Sequence, residues 1–253
     1  MGYEITALDD FTESINFLVY SDPGAGKTVL GGTTNGLIIA LEPGTISAKR
    51  MGSTAQTIRC KDYPEFAEVL NDLRRGKVVN PATGERYEWV VIDTLTELQQ
   101  MMAQNIMRDA HKVSAKRSAT VLDMLGHQEW QSLFKRVVHA LNDLPENVLF
   151  LCHAMRDEDE DGEPMILPDI AGKNGTQDST TMSRWVCGTM HAYGYLKVKR
   201  GDDGEYRRLI MQRSGAYFGK DRYGVLAPWV DNPNMLDITE RILNPPKKKK
   251  KEH

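Results

Sequence analysis

Residues 15–28, I-N-F-L-V-Y-S-D-P-G-A-G-K-T, decide the fold of this chain. The apolar run at 15–20 predicts a buried β-strand that continues into a glycine-rich turn and then into a short helix beginning near Lys27. The turn matches the phosphate-binding P-loop pattern G-x-x-x-x-G-K-[ST], with Ser21 in place of the first glycine. In such a loop the backbone N–H groups surround phosphates, the lysine neutralises their charge and the hydroxyl group binds Mg²⁺. The stretch therefore predicts a P-loop NTPase that binds ATP and Mg²⁺.

The rest of the predicted nucleotide site follows from this loop. The apolar strand at 89–92 ends in Asp93, which is how a Walker B aspartate is delivered to Mg²⁺, so we expect Thr28 and Asp93 at the metal. Hydrolysis also needs a group that orients or deprotonates water, and Glu42, after the strand at 37–41, is the first candidate, with Glu97 as a further option. The positions expected to contact ATP are Ser21, Asp22, Pro23, Gly24, Ala25, Gly26, Lys27, Thr28 and Val29.

Short apolar strands alternate with helices along the first two thirds of the chain. Runs at 37–41, 89–92 and 148–152 predict strands, and the periodicity at 96–110 and 127–144 predicts helices. This alternation indicates an α/β fold, a mostly parallel sheet flanked by helices with its ligand at the carboxyl ends of the strands. Residues 191–199 and 205–212, separated by G-D-D-G, predict a C-terminal antiparallel β-hairpin, and D-G at 161–162 predicts another between 155 and 166.

Composition limits the domain organisation and the partners. The 253 residues carry a formal net charge of −3, but the lysines at 247–251 and Glu252 together contribute +4, so the rest of the chain carries −7. That balance argues against a broad, sequence-independent DNA coat. We expect a single domain over 1–244 and a disordered Lys-rich tail over 245–253. No apolar run is long enough to span a membrane and no leader is evident, which predicts a cytoplasmic protein without a membrane partner. The cysteines Cys60, Cys152 and Cys187 are expected to be buried free thiols.

The order of these motifs resembles the RecA-like ATPases, and most specifically the phage-encoded nucleotide-binding ATPases that include single-strand annealing and recombination proteins. The resemblance covers residues 15 to about 224 and implies a RecA-like core. It implies that Glu42 polarises the attacking water and that His153, which ends the strand after Walker B, senses the γ-phosphate. Lys220 and Arg222, in G-K-D-R-Y-G at 219–224, look like the K-x-R stretch that reaches into a neighbour's ATP site.

The same resemblance implies an ATPase acting on single-stranded DNA in phage recombination, annealing or replication, inside the bacterial host cytoplasm. Self-association into a ring or filament would follow, with a single-strand-binding protein as a further candidate partner. DNA would lie along loops at about 110–126 and 156–181, where Lys112, Lys116, Arg117 and Lys173 are the candidate phosphate contacts. The acidic run at 157–161 would repel DNA, and a solvated surface loop is an equal alternative for the basic segment.

Two other functions remain open on the sequence. A hexameric helicase-like motor or helicase loader would share the ATP site, although only about 20 residues precede the P-loop. A P-loop small-molecule or nucleoside kinase would also begin with a strand and a P-loop. Kinases of this type need an arginine-rich lid, and Arg207, Arg208 and Arg213 lie on a predicted hairpin that makes a poor one.

Overall fold

A computed structural model describes residues 14–159, 161–171, 181–202 and 204–245. The strands are β1 (Asn16–Ser21), β2 (Leu37–Ala40), β3 (Gln56–Arg59), β4 (Trp89–Asp93), β5 (Asn147–Glu158), β6 (Pro164–Pro168), β7 (Ala192–Gly201), β8 (Gly204–Ile210), β9 (Lys220–Asp221) and β10 (Trp229–Asp231). The helices are α1 (Lys27–Gly32), α2 (Ile46–Arg50), α3 (Tyr63–Arg74), α4 (Leu95–Val113), α5 (Met124–Asn142), α6 (Thr181–Thr189) and α7 (Met235–Leu243).

These strands form one mixed sheet in the order β10-β8-β7-β1-β5-β4-β2-β3. The strands from β7 to β3 in this order are parallel. Beyond β7 the sheet is extended by antiparallel pairings, of β8 with β7 and of β10 with β8. Carboxyl ends of parallel strands meet at one edge of a sheet, so the residues after β1, β2, β4 and the parallel part of β5 converge there. The α/β class, the mostly parallel sheet and the antiparallel C-terminal extension are confirmed.

The central strands are buried on both faces, as their continuous apolar sequences predict. Side chains of β1 alternate between two cores: Leu18 and Tyr20 pack on the side of α3, α4 and α5, while Phe17 and Val19 pack on the side of α1 and α7. Every side chain of β1 is buried, so the strand is held rigidly in position directly before the loop.

The starts of α4 and α5 are set by side-chain caps that periodicity alone does not resolve. The helix predicted at 96–110 is α4, which begins after Thr94, whose hydroxyl accepts the Glu97 N–H at 3.2 Å. The helix predicted at 127–144 is α5, which begins after Asp123, whose carboxylate accepts the Gly126 N–H at 2.8 Å. An N-cap satisfies a helical N–H that has no partner within its own helix, so each helix begins at its capping residue.

Both predicted hairpins are present, as β7–β8 and as the pairing of β5 with β6. Cys60, Cys152 and Cys187 are buried free thiols, as expected. None of the helices within the described residues is long and apolar enough to cross a bilayer. Lys173 and the lysines at 247–251 lie outside the described residues, and the domain limits at 244 and 245 stay a prediction.

Candidate active site

The loop between β1 and α1 has the backbone conformation that its glycines permit. Gly24 and Gly26 have φ values of 79° and 99°, a region that residues with a Cβ rarely adopt. Gly26 is the N-cap of α1, so the helix begins at Lys27, as predicted. The glycines therefore allow the chain to reverse tightly between a buried strand and a helix, with Lys27 at the turn.

Lys27 is buried with its ammonium group inside the loop. Its Nζ donates to the backbone oxygen and hydroxyl of Ser21, both at 3.2 Å, and to the Asp22 backbone oxygen at 3.3 Å. Burial lowers the pKa of Lys27, against the opposing effect of nearby carboxylates. Ser21, the one position that departs from the P-loop pattern, thus gives the lysine an extra hydrogen-bond acceptor. A phosphate oxygen would replace these neutral acceptors with a charged one.

Thr28 and Asp93 are brought together at the end of β4. The Thr28 hydroxyl donates to Asp93 Oδ2 at 2.8 Å. Asp93 is 2% exposed, and its Oδ1 has no hydrogen-bond partner among the described residues. Desolvation raises the pKa of Asp93 to about 6, with a further contribution from the charge of Glu42. A buried carboxylate oxygen without a partner, beside a hydroxyl group, fits a hard cation such as Mg²⁺.

The described residues contain no group of three His, Cys, Asp or Glu side chains that could hold a metal by themselves. A Mg²⁺ ion here would be held by the Thr28 hydroxyl, the Asp93 carboxylate and oxygens of a bound phosphate. This ligand set is typical of phosphate-transfer sites, in which Mg²⁺ uses one or two protein ligands.

A chain of contacts joins Lys27, His153 and Glu42. Lys27 Nζ lies 3.3 Å from His153 Nδ1, and His153 Nε2 lies 3.5 Å from Glu42 Oε1. Because an ammonium group can only donate, Nδ1 accepts, which leaves the proton on Nε2 to be donated to Glu42. Hydrogen bonding to His153 lowers the pKa of Glu42. Glu42 is therefore an ionised acceptor beside the phosphate-loop lysine.

Second contacts hold this chain in place. The backbone N–H of His153 donates to the Thr96 hydroxyl at 2.9 Å, which fixes the end of β5 against the first turn of α4. Glu97, the alternative water-orienting residue, lies in the same turn, and burial raises its pKa. Of the two carboxylates, Glu42 has the direct contact with His153. The negative charge of Glu42 also acts on Lys27 and raises the pKa of that lysine.

Three further residues lie at the loop that no motif in the sequence indicated, namely Arg156, Tyr195 and Arg207. Asp22 accepts from Arg156 Nη2 at 2.8 Å and from the Tyr195 hydroxyl at 2.9 Å, and the hydrogen bond from Arg156 lowers the pKa of Asp22. Arg207 Nε lies 3.5 Å from where a Cβ on Gly26 would stand, so this arginine of β8 borders the loop. No motif marks these residues, because their positions depend on how β5, β7 and β8 assemble around β1.

Lys220 and Arg222 contact β7 and the end of α6. Lys220 pairs with Tyr193 of β7, which is level with Leu18, three residues before Ser21. Arg222 donates to the Gly188 backbone oxygen at 2.6 Å, at the end of α6. Lys220 lines a cavity of about 540 Å³ with Arg184 and Arg213.

Val29 faces a separate groove between α1 and α7, so neither it nor the K-x-R pair joins the Lys27 cluster.

The segment predicted as a DNA-contacting loop at 110–126 is only partly a loop, because 110–113, with Lys112, end α4 and 124–126 begin α5. Most of the positive charge of this segment is engaged with neighbours. Lys112 pairs with Asp109 at 3.1 Å, and Arg117 forms two hydrogen bonds with Asp123, each at 2.8 Å. Lys116 is exposed. The DNA-contact roles of these residues stay predictions, and the ion pairs reduce the charge that the loop offers to a phosphate.

A family model described as an AAA domain matches residues 13–223. Solved structures that the chain is similar to include the flagellar accessory protein FlaH from Methanocaldococcus jannaschii, with a TM-score of 0.39 and 10% identity over 86% of this chain and 85% of that one. No curated protein matches the sequence. The matched range contains the Lys27 loop, Asp93, Glu42 and His153.

Proposed function

The chain belongs to the AAA domain family of P-loop NTPases, and from this premise we propose a Mg²⁺-dependent, RecA-like ATPase that acts on single-stranded DNA. Its ATP site would be completed by a neighbouring subunit, and its role would lie in phage recombination, annealing or replication. The observation that carries the ATPase proposal is the convergence of Lys27, Thr28, Asp93, His153 and Glu42 at the carboxyl edge of the sheet.

The protein's own groups account for binding and orientation of ATP. The ammonium group of Lys27, displaced from Ser21, neutralises the β- and γ-phosphate oxygens. The Thr28 hydroxyl and the Asp93 carboxylate would hold Mg²⁺, which supplies positive charge to those oxygens when it is bound. Asp93 would then be ionised, because a divalent cation compensates for its burial.

Hydrolysis requires water to attack the γ-phosphorus while the bond to the β–γ bridging oxygen breaks, giving ADP and phosphate. Glu42 orients this water and accepts its proton, since its carboxylate is ionised and lies beside Lys27 through His153. His153 contacts both Lys27 and Glu42, so a change in phosphate contacts at Lys27 alters the hydrogen bond that holds Glu42.

The proposed neighbour contribution rests on the K-x-R stretch and on its location. Charge that develops on the transferred phosphoryl group is stabilised by cations placed at the site, and an arginine supplied by another subunit is a common device. Lys220 and Arg222 contact β7 and the end of α6 and not the Lys27 cluster, which favours delivery to an adjacent chain. Arg207, beside Gly26, and Arg156, bonded to Asp22, are cations available within the same chain.

One experiment tests the substrate, the DNA partner and the assembly together. ATP turnover per chain is measured over a range of protein concentrations with and without single-stranded DNA, and Lys27→Ala serves as the inactive control. We expect turnover to rise with concentration and with DNA, and to fall at least about 100-fold in Lys27→Ala. Turnover that is independent of both would refute the DNA and assembly parts. DNA strand displacement would favour a motor, and phosphoryl transfer to added nucleosides would favour a kinase.

A further inference from the structure

One face of the antiparallel extension forms a basic groove, defined here by Lys197, Lys199, Arg208, Arg213, Tyr217 and Trp229, with a volume of about 320 Å³. Lys197 pairs with Arg208 across β7 and β8, and Trp229 of β10 pairs with Ile210. Side chains alternate between the faces of a sheet, so Lys197, Lys199, Arg208 and Trp229 share one face. The opposite face, with Leu196 and Leu209, packs into the core.

The charge of the basic groove is opposite to that of the protein as a whole. Four cationic side chains meet here, and the acidic residue on this face, Asp231, forms hydrogen bonds of 2.6 and 2.7 Å with Arg208. Outside the Lys-rich tail the chain carries a net negative charge. A local basic surface on an acidic body attracts a polyanion to that surface and not to the rest of the molecule.

Aromatic faces lie among these cations. The Trp229 side chain is 53% exposed, and the Arg208 guanidinium group lies over its ring, 5.2 Å from the centroid. Tyr217 accepts a hydrogen bond from Lys197 at 2.6 Å, and the same ammonium group lies 4.8 Å from the Tyr217 ring centroid. Proteins that bind unpaired bases combine a positively charged groove with aromatic side chains on which the bases stack.

We propose that the basic groove binds single-stranded DNA, with Lys197 and Lys199 contacting phosphates and Trp229 stacking on a base. This deepens the proposed function and rests on it. A duplex hides the faces of its bases, and an acidic protein segment would use the cations but has no need of an exposed indole. The unpaired strand is therefore the occupant that uses both features.

Other basic surfaces of the described residues fit a DNA strand less well. The cavity that contains Lys220 also contains Asp159 and Asp161, so its charge is mixed. In the segment at 110–126, Lys112 and Arg117 are paired with carboxylates. The basic groove is distinguished by Lys197 and Arg213, which lie over the rings of Tyr217 and Phe218, and by the exposed Trp229.

The basic groove is also connected to the phosphate loop. Tyr217 stacks on Tyr195 with ring centroids 4.6 Å apart, and the Tyr195 hydroxyl donates to Asp22 of the loop. Lys197, which would contact the DNA, is thus linked to the phosphate loop through Tyr217 and Tyr195. This series of contacts is a physical route by which DNA in the basic groove would affect the nucleotide site.

Binding of a fluorescein-labelled single-stranded oligothymidylate to the full chain, followed by anisotropy over a salt series, tests the proposal. Lys197→Gln with Lys199→Gln should lower the slope of log affinity against log salt by about 1.4, since each lost phosphate contact on a single strand removes about 0.7. Trp229→Ala should weaken binding about 5- to 150-fold, and Trp229→Phe should restore most of the affinity. Lys61→Gln with Lys77→Gln, which removes the same charge near the opposite sheet edge, should leave affinity and slope unchanged.

Tryptophan fluorescence provides a readout that a general loss of stability would not reproduce. The oligothymidylate should quench the wild-type emission, and the quenching should be largely absent in Trp229→Phe, which keeps affinity. Unchanged affinity and salt slope in both groove variants, with wild-type binding intact, would refute the groove and leave the proposed function standing. Loss of binding in Lys112→Gln with Lys116→Gln alone would move the site to the segment at 110–126.

A wild-type protein that binds no single-stranded DNA would refute the DNA role and the groove together. Competition by polyglutamate, combined with full binding by Trp229→Ala, would overturn the DNA proposal in favour of an acidic protein segment.

Discussion

At the scale of single residues, Glu42 is the group whose role can be isolated most directly. Glu42→Gln keeps the size of the side chain and can still accept a hydrogen bond from His153, but it cannot accept a proton. We expect ATP affinity to stay near that of the wild type while the turnover number falls about 100- to 10,000-fold. Nucleotide binding by fluorescence titration and phosphate release in steady state measure the two effects separately.

Glu97→Gln is the matched control for this substitution, because Glu97 is a second carboxylate in the same region without the contact to His153. It should retain most of the turnover. Normal hydrolysis by Glu42→Gln, or a loss confined to Glu97→Gln, would assign the water-orienting role to another residue.

Asp93 should make the stability of the nucleotide-free protein depend on pH. Its pKa is raised to about 6 in the fold, above its ordinary value of 3.8, so the folded state holds a proton that the unfolded state releases between about pH 4 and 6. The contribution of Asp93 to the free energy of unfolding is most favourable below pH 4 and falls as the pH rises to 6. Above pH 6 this contribution is about 3 kcal/mol less favourable than below pH 4.

Asp93→Asn removes this titration. In urea unfolding without nucleotide, the free energy of unfolding of the variant should rise relative to that of the wild type by up to about 3 kcal/mol between pH 4 and pH 7. Added Mg²⁺ and ATP should stabilise the wild type much more than the variant, because the ion compensates for the buried charge. A difference between the two proteins that stays constant with pH would contradict the raised pKa.

At the scale of elements, much of the nucleotide site could be predicted because local sequence determines it. A buried strand, glycines with positive φ and a helix beginning at Lys27 occupy consecutive residues, so the P-loop needs no long-range information. Asp93 and Glu42 each follow an apolar strand, and parallel strands bring their carboxyl ends together. The β7–β8 hairpin is likewise marked by its turn residues.

Contacts that depend on strand order were not accessible in this way. Arg207 was set aside because it lies on a hairpin, yet the hairpin joins the sheet beside β1 and carries Arg207 to Gly26. β10 is only three residues long and has no periodic pattern, so neither the pairing of Trp229 with Ile210 nor the basic groove follows from composition. Neighbours across a sheet become evident only when the order of strands is known.

At the scale of the whole molecule, an assembled ATPase should show complementation between two inactive variants. Lys220→Ala with Arg222→Ala keeps its own phosphate loop but lacks the cations for a neighbour. Lys27→Ala has an inactive loop and intact cations. In a head-to-tail assembly mixed in equal amounts, about a quarter of the interfaces join a functional loop to functional cations, so turnover should recover to about a quarter of the wild-type value.

In the matched control, the triple variant Lys27→Ala, Lys220→Ala and Arg222→Ala replaces Lys27→Ala in the mixture. The triple variant has neither a functional loop nor the cations, so it should restore no turnover. Recovery with Lys27→Ala but not with the triple variant would establish that the cations act between subunits. Absence of recovery in both mixtures, under conditions where the wild-type protein assembles, would mean that Lys220 and Arg222 act within their own chain or only in folding. Arg207 and Arg156, which border the phosphate loop in the same chain, would then be the next cations to examine at the γ-phosphate.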